Sequence, residues 1–343
     1  VNRPSIVGRF SLVPLFLGVA AGIGCVGPRP APRLNTLPPA HATTRDFLVA
    51  RSGRALTDGR GLAFGDLAAG ERVELLAVRS DGALEVRFAG AIETEGFVPA
   101  GHLGLRAQRA VSVAATPAGF LAPGDLVELR EPQIFGTTAS AVVHLRVRPS
   151  TYVDDPRLLG LEGTVPADAL AVADHPRDTP GPAAYTNPRI DVPLIAAPGL
   201  APFHTLKANE WGHLVYPVGR EGALTRVRVG QGPYLDVWTT APVGDPGEIG
   251  GLGVGDVSLP DYPLALTGKG QLYCVAPGAT VSLDGAVVAR VRSPIWGRAG
   301  EAGPSAAPTL ELRLADKHGL TVRGTVEAAT LTPVADADAA RCR

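Results

Sequence analysis

Two short patterns recur in this chain in the same order, three times each. The first is LAAGERVEL at Leu67–Leu75, which returns as LAPGDLVEL at Leu121–Leu129 and as VAPGATVSL at Val275–Leu283. Each copy is followed by a second pattern: Gly96-Phe97-Val98-Pro99-Ala100 with Leu103, Gly163-Thr164-Val165-Pro166-Ala167 with Leu170, and Gly324-Thr325-Val326-Glu327-Ala328 with Leu331. An ordered pair that repeats describes a series of similar small units, not one large enzyme core. Val73 and Leu75, Val127 and Leu129, and Val281 and Leu283 are spaced by two, so each pair shares one face of a strand and points inward. The glycines Gly70, Gly124 and Gly278 suit tight turns. Val98, Val165 and Val326 belong on a second short strand, and Leu103, Leu170 and Leu331 close the apolar end.

Composition agrees with an all-β chain. There are 42 Gly and 32 Pro in 343 residues, and no long stretch of helical periodicity follows residue 25. A formal net charge of −1 removes the basic field that a nucleic-acid binder needs, so no nucleic-acid partner is expected.

Residues 1–24 read as a lipoprotein signal peptide. Arg3 and Arg9 give a positive start, and the apolar stretch from Ser11 to Gly24 is shorter than the roughly 20 residues of a bilayer span. Gly22-Ile23-Gly24-Cys25 resembles a lipoprotein box with Cys25 as the acylated residue, which predicts membrane attachment through a lipid anchor. Residues 25–46, with Pro28, Pro30, Pro32, Pro38 and Pro39, read as an extended Pro-rich tether. Setting Cys25 aside leaves Cys274 and Cys342, an even remainder that suggests one disulfide in an exported protein.

Residues 176–264 do not carry the paired patterns. They hold a local concentration of aromatics, and Trp211, Tyr216, Tyr234, Asp236 and Trp238 are the candidate ligand-binding residues. On a strand Tyr234, Asp236 and Trp238 share a face opposite Leu235 and Val237, while Tyr216 shares one with Val218. A half-exposed strand of this kind could stack on a sugar or peptide; packing of Tyr234 and Trp238 beneath a neighbouring segment is the competing expectation. The glycines of Gly251–Gly255 are followed by Val257-Ser258-Leu259-Pro260, which starts no helix, so they read as a connector, not a phosphate loop. His204 and His213 could converge with Glu210, but no histidine pair has helical metal-ligand spacing. No nucleophile elbow is present. Neither a metal, a cofactor nor a catalytic residue is expected.

Residues 48–105 resemble a bacterial SH3-like domain. Arg51-Ser52-Gly53, Gly82-Ala83-Leu84-Glu85-Val86-Arg87-Phe88 and Gly96-Phe97-Val98 carry the resemblance, which weakens over 108–172 and again over 265–335. At the family's aromatic positions stand Ala83, Leu84 and Phe97. The resemblance implies tandem small SH3-like β-barrels: module 1 at 47–107, module 2 at 108–175, a divergent β-module at 176–264, and module 3 with the C-terminal tail at 265–343. It also implies a non-catalytic envelope lipoprotein of the outer membrane that binds or scaffolds peptidoglycan, a glycan or an envelope protein. A cell-wall hydrolase, or its accessory factor, would instead place convergent carboxylates in a cleft between modules. A structural spacer would show neither groove nor aromatic patch.

Overall fold

Strands form wherever apolar residues alternate with polar ones. The stretch Arg72–Arg79 is typical: Val73, Leu75 and Ala77 are buried while their neighbours face outward. The computed structural model describes residues 34–36, 45–51, 53–150, 158–245, 266, 269–300, 309–316, 319–335 and 342. Among them the chain is all-β, with short 3-10 turns as the only helical geometry. The expected signal peptide, Cys25 and the Gly251–Gly255 connector lie outside these residues. Part of the expected tether does not: Leu34–Thr36 is strand β1 and pairs with Ala77–Arg79. That edge is open because the next strand, β2 (Asp46–Val49), covers only Arg72–Glu74 of the same partner.

From β2 onward one strand order is used four times. The first unit has β2, a hairpin of β3 (Arg54–Thr57) and β4 (Ala63–Leu67), a meander of β5 (Arg72–Arg79), β6 (Leu84–Ala89) and β7 (Ile92–Val98), and β8 (Leu103–Ala107) closing on β2. The second unit reuses β8 as its own first strand. It adds a hairpin of β9 (Val111–Val113) and β10 (Ala118–Leu121), a meander of β11 (Leu126–Leu129), β12 (Ser140–Val147) and β13 (Leu159–Pro166), and β14 (Leu170–Ala171) closing on β8.

The third unit lies in the segment without sequence patterns. It has β15 (Ala184–Tyr185), a hairpin of β16 (Val192–Leu194) and β17 (His204–Leu206), and a meander of β18 (Leu214–Glu221), β19 (Leu224–Val229) and β20 (Tyr234–Thr239). A bridge from Val243 to Thr186 closes it. The fourth has β21 (Leu272–Val275), a hairpin of β22 (Thr280–Leu283) and β23 (Ala286–Val291), a meander of β24 (Ile295–Ala299), β25 (Thr309–Ala315) and β26 (Thr321–Glu327), and β27 (Leu331–Val334) closing on β21.

The second sequence pattern marks the same place in three units. Gly96, Gly163 and Gly324 sit on the last meander strand, where the hairpin crosses it. A methyl group would come 2.8 Å from Leu56 Cγ at Gly96, 2.6 Å from Val113 Cγ1 at Gly163 and 2.7 Å from Val281 Cγ1 at Gly324. The side chain is missing because the hairpin occupies its space. The first pattern behaves differently. In the first two units it joins hairpin to meander, whereas Val275–Leu283 joins the first strand to the hairpin. What the three copies share is a turn with a left-handed glycine, at φ 91°, 83° and 88° for Gly70, Gly124 and Gly278, followed by a strand. Such a turn serves either corner. Five of the six aliphatics expected to point inward are buried, and Leu283 is half-buried.

The first and fourth units share a barrel. β7 pairs with β3, β3 with β4, β4 with β26, β26 with β22, β22 with β23, and β23 returns to β7. Six strands therefore close a ring, three from each unit, with the second hairpin strand of each pairing with the last meander strand of the other. The second and third units repeat half of this exchange through β10 and β20. One contiguous apolar core, from Phe47 to Val326, runs through all four.

Candidate binding groove

On β7 the inward residues are Ile92, Thr94, Gly96 and Val98, which leaves Glu93, Glu95 and Phe97 on the outer face. Opposite them, on the same face, stand Arg290 of β23 across from Glu93, Arg87 of β6 across from Glu95, and Glu85 across from Phe97. The hairpin tip at Asp58–Arg60 and the start of β23 at Ala286–Val288 line this face on either side. Between them runs a groove of about 660 Å³ at the seam where the first unit meets the fourth.

Most charges in the groove are matched. Arg292 pairs with Glu93, and Arg87 bonds Glu95 at 2.8 Å while also reaching Glu74 at 3.0 Å. Asp58 accepts the Arg60 side chain at 2.8 Å and the amides of Arg60 and Leu62 at 2.9 Å each. Burial works to raise the Asp58 pKa, but these hydrogen bonds outweigh it and hold the carboxyl below its ordinary value. Glu85 and Arg290 have no ion pair among the described residues. Burial and the nearby Glu95 charge push the Glu85 carboxyl up, partly opposed by Arg79. Arg79 itself lies over the Phe97 ring, 4.6 Å from its centre. Val287, 56 % exposed, adds an apolar rim.

The residues singled out from sequence are scattered. Trp211 is 66 % exposed on the loop after β17, and its indole N–H donates to Glu210 at 2.8 Å. Tyr216 and Tyr234 are buried, their rings 5.5 Å apart and edge to face, with Phe120 of β10 on the far side of Tyr234. Asp236 is buried and held by Arg226 at 2.7 Å and Arg228 at 3.5 Å. The half-exposed face expected at Tyr234–Trp238 is thus covered over most of its length: Phe120 of the neighbouring β10 lies against Tyr234, and Arg226 and Arg228 hold Asp236. The face expected to be shared by Tyr216 and Val218 is broken by a bulge between Pro217 and Gly219, which leaves Val218 41 % exposed.

Trp238 remains half-buried, and its position is informative. It bridges to Ile195 of its own hairpin just as Phe97 bridges to Thr57. Across the strand, Arg226 occupies the place of Glu85, and the Arg228–Asp236 pair the place of Arg87–Glu95. Trp238 and Phe97 are therefore equivalent, one in the third unit and one in the first. Sequence reading missed Glu85, Glu93 and Arg290; alternating charges on strands flanking Gly96-Phe97-Val98 are the signal that points to them.

Other polar clusters are structural. Asp125, buried in the turn before β11, accepts the Ala122 amide at 2.9 Å and lies 3.4 Å from Arg177. Burial raises its carboxyl to about 6 despite those partners. Tyr234 is pushed up by burial and by the Asp125 charge. His213 shares Nε2 with the Lys207 carbonyl at 2.8 Å, and no trio of His, Cys, Asp or Glu among the described residues is arranged to hold a metal. Cys274 and Cys342 are joined in a disulfide that ties the C-terminal tail to β21.

No family model, curated protein or solved structure matches this chain.

Proposed function

We propose that the four units are SH3-like and that the chain is a non-catalytic binding or scaffolding protein of the cell envelope. In this reading it is exported under residues 1–24, anchored through acylated Cys25 in the outer membrane, and engages peptidoglycan, a glycan or an envelope protein. The order of first strand, hairpin, three-stranded meander, short turn and closing strand supports the SH3-like reading. The disulfide supports an oxidising compartment.

The observation that carries the binding role is the mixed-charge groove around Phe97. Its matched ion pairs present a fixed polar surface, while Glu85, Arg290, Phe97 and Val287 offer one acid, one base and two apolar contacts to a ligand. Cosedimentation of the mature chain with purified peptidoglycan, and crosslinking in intact envelopes, test it. Binding that a Phe97→Ala, Arg290→Ala double substitution weakens at least severalfold supports the reading. Binding to neither target, or binding that the substitutions leave unchanged, removes it.

The hydrolase reading has one observation in its favour. Glu85 is pushed up and Asp58 held down within a single groove, the division of labour that an acid and a carboxylate base use. Release of soluble fragments from peptidoglycan, abolished by Glu85→Gln, would establish it over the binding reading.

A further inference from the structure

Wherever a hairpin strand docks on another unit in this protein, the docked residues follow one rule. β4 places Gly65 opposite Val322 and Asp66 opposite Thr321. β23 places Ala289 opposite Thr94, Arg290 opposite Glu93 and Val291 opposite Ile92. β10 places Gly119 opposite Leu235 and Phe120 opposite Tyr234. The three docked segments read Gly65-Asp66-Leu67, Ala289-Arg290-Val291 and Gly119-Phe120-Leu121: a small residue, any residue, then an aliphatic one. The aliphatic residues Leu67, Val291 and Leu121 are buried, and the small ones sit where little room is left: a methyl on Gly65 would lie 2.7 Å from the Thr321 carbonyl oxygen, and one on Gly119 would lie 2.6 Å from Leu145 Cδ1.

The fourth such position is not filled. By the same equivalence it lies on β13, with Leu159, Gly160 and Leu161 matching Ile92, Glu93 and Thr94. Among the described residues no strand pairs with this stretch on the side away from β12. The segment that should dock there is His204-Thr205-Leu206 of β17. Its aliphatic position is right, but His204 stands where the others carry Gly or Ala, and an imidazole does not fit opposite Leu161 in a position made for a hydrogen or a methyl. The consequences show on β13. Leu159 is half-buried, whereas Ile92 and Leu320 at the equivalent places are fully buried; Pro233, the third equivalent, is half-buried beside the docked β10. Leu158 is 50 % exposed. Thr164 exchanges backbone hydrogen bonds with Ala114 on this side, so by alternation the N–H and C=O of Gly160 point to the same open edge.

We propose that the open edge of β13 is a strand-acceptor site for another polypeptide, which adds in antiparallel register with Gly or Ala opposite Leu161 and an aliphatic residue opposite Leu159. The main chain supplies the attraction and the two inward positions supply the selectivity. An external segment is favoured over β17 because the residue that excludes β17 is built into the hairpin.

The probe is a fluorescent hexapeptide copying Val287–Arg292, compared with the same peptide carrying Ala289→His. Both are titrated by anisotropy into the whole chain, into Gly160→Ala and into Gly160→Pro. Proline on an edge whose N–H faces outward leaves the strand intact while removing the donor. The expected result is saturable binding of the Ala peptide to wild type and Gly160→Ala, with the His peptide and the Gly160→Pro variant each weaker by about tenfold or more, the scale set by a lost backbone hydrogen bond and a blocked pocket. Amide exchange on the wild-type chain gives a reading that does not depend on the folding of any variant: Gly160 and Glu162 should become protected when the Ala peptide binds. No binding at about 1 mM peptide, the weak end of measurable affinity, overturns the proposal. So does equal binding of the His peptide, or unchanged exchange at Gly160. A dimer in sedimentation that Gly160→Pro dissolves would assign the edge to a second copy and overturn the external partner.

Discussion

Gly65 of β4 lies opposite Val322 of β26, and together they form the joint at which the first unit enters the fourth. Nothing larger than hydrogen fits on Gly65, because the neighbouring Thr321 carbonyl is a backbone atom and cannot turn aside. Gly65→Val should therefore push β4 off β26 and open the six-stranded ring. The expected cost is about 1–3 kcal/mol, the usual range for overpacking a tight site. Urea titration followed by tryptophan fluorescence, together with new amide exchange at Thr321, checks it.

Asp125 should make stability depend on pH. Its folded pKa of about 6 lies above the ordinary aspartate value of 3.8, so the folded chain binds this proton more tightly than the unfolded one. The contribution is fully present below the ordinary value and is lost as pH rises through about 6. Asp125→Asn keeps an acceptor for the Ala122 amide and removes the titration. Its unfolding free energy from urea titration should change less than that of wild type between pH 4 and pH 7, by an amount on the order of 2 kcal/mol, since each pKa unit is worth about 1.4 kcal/mol. An identical pH profile for the two proteins would reject this.

Glu71 adds a second step in the same direction. Burial, and the charge of Asp316 from the fourth unit, raise its carboxyl from 4.5 to about 7. Stability linked to this group is held below pH 4.5 and lost as pH rises through 7. Glu71→Gln should flatten the upper part of that profile, and combining it with Asp125→Asn should flatten most of it. Thermal midpoints recorded from pH 4 to pH 8 separate the two windows.

Asp236 answers two arginines from a buried position. Arg228, pushed down by burial, also covers the Phe120 ring at 3.4 Å, so this carboxylate supports the contact between β10 and β20. Asp236→Ala should cost about 1–3 kcal/mol, since it leaves the mostly buried Arg228 without its carboxylate while the more exposed Arg226 can turn to solvent. Truncating Trp211, exposed on its loop, should cost within about 0.5 kcal/mol. Chemical denaturation of the two variants side by side makes the comparison.

Breaking the link between Cys274 and Cys342 should cost about 4 kcal/mol or less, the scale for a closed loop of this size. Leu272 and Trp296 pack against Cys342, so Cys342→Ser should also loosen that small apolar cluster. Thermal unfolding with and without reductant, compared with the Ser variant, tests both.

Period-two alternation made the strands readable, and the second pattern's glycines located three of the four units. The glycines could be read because a crossing hairpin leaves no room for a side chain. The third unit was readable only as a divergent β-module at 176–264, because Val237 stands where Gly96, Gly163 and Gly324 stand elsewhere, while the pairing that defines the unit survived the change. The third copy of the first pattern misled for the converse reason: a left-handed glycine turn is reusable, so its sequence does not say which corner it makes. The groove was not legible at all. Its walls come from β7 and β23, and Thr94 and Val288, which are hydrogen-bonded across the seam, lie 194 positions apart.

That separation bears on how the protein is made. The edges of β4 and β7 are finished by the time the first hundred residues exist, yet their partners lie in the last quarter of the chain. Until those residues arrive the first unit presents two unsatisfied strand edges, the kind of surface on which chains misassociate. Contacts so remote in sequence also make closure slow. The ring thus acts as a completion check, since a chain truncated before Ala286 would lack both strands that cap its beginning.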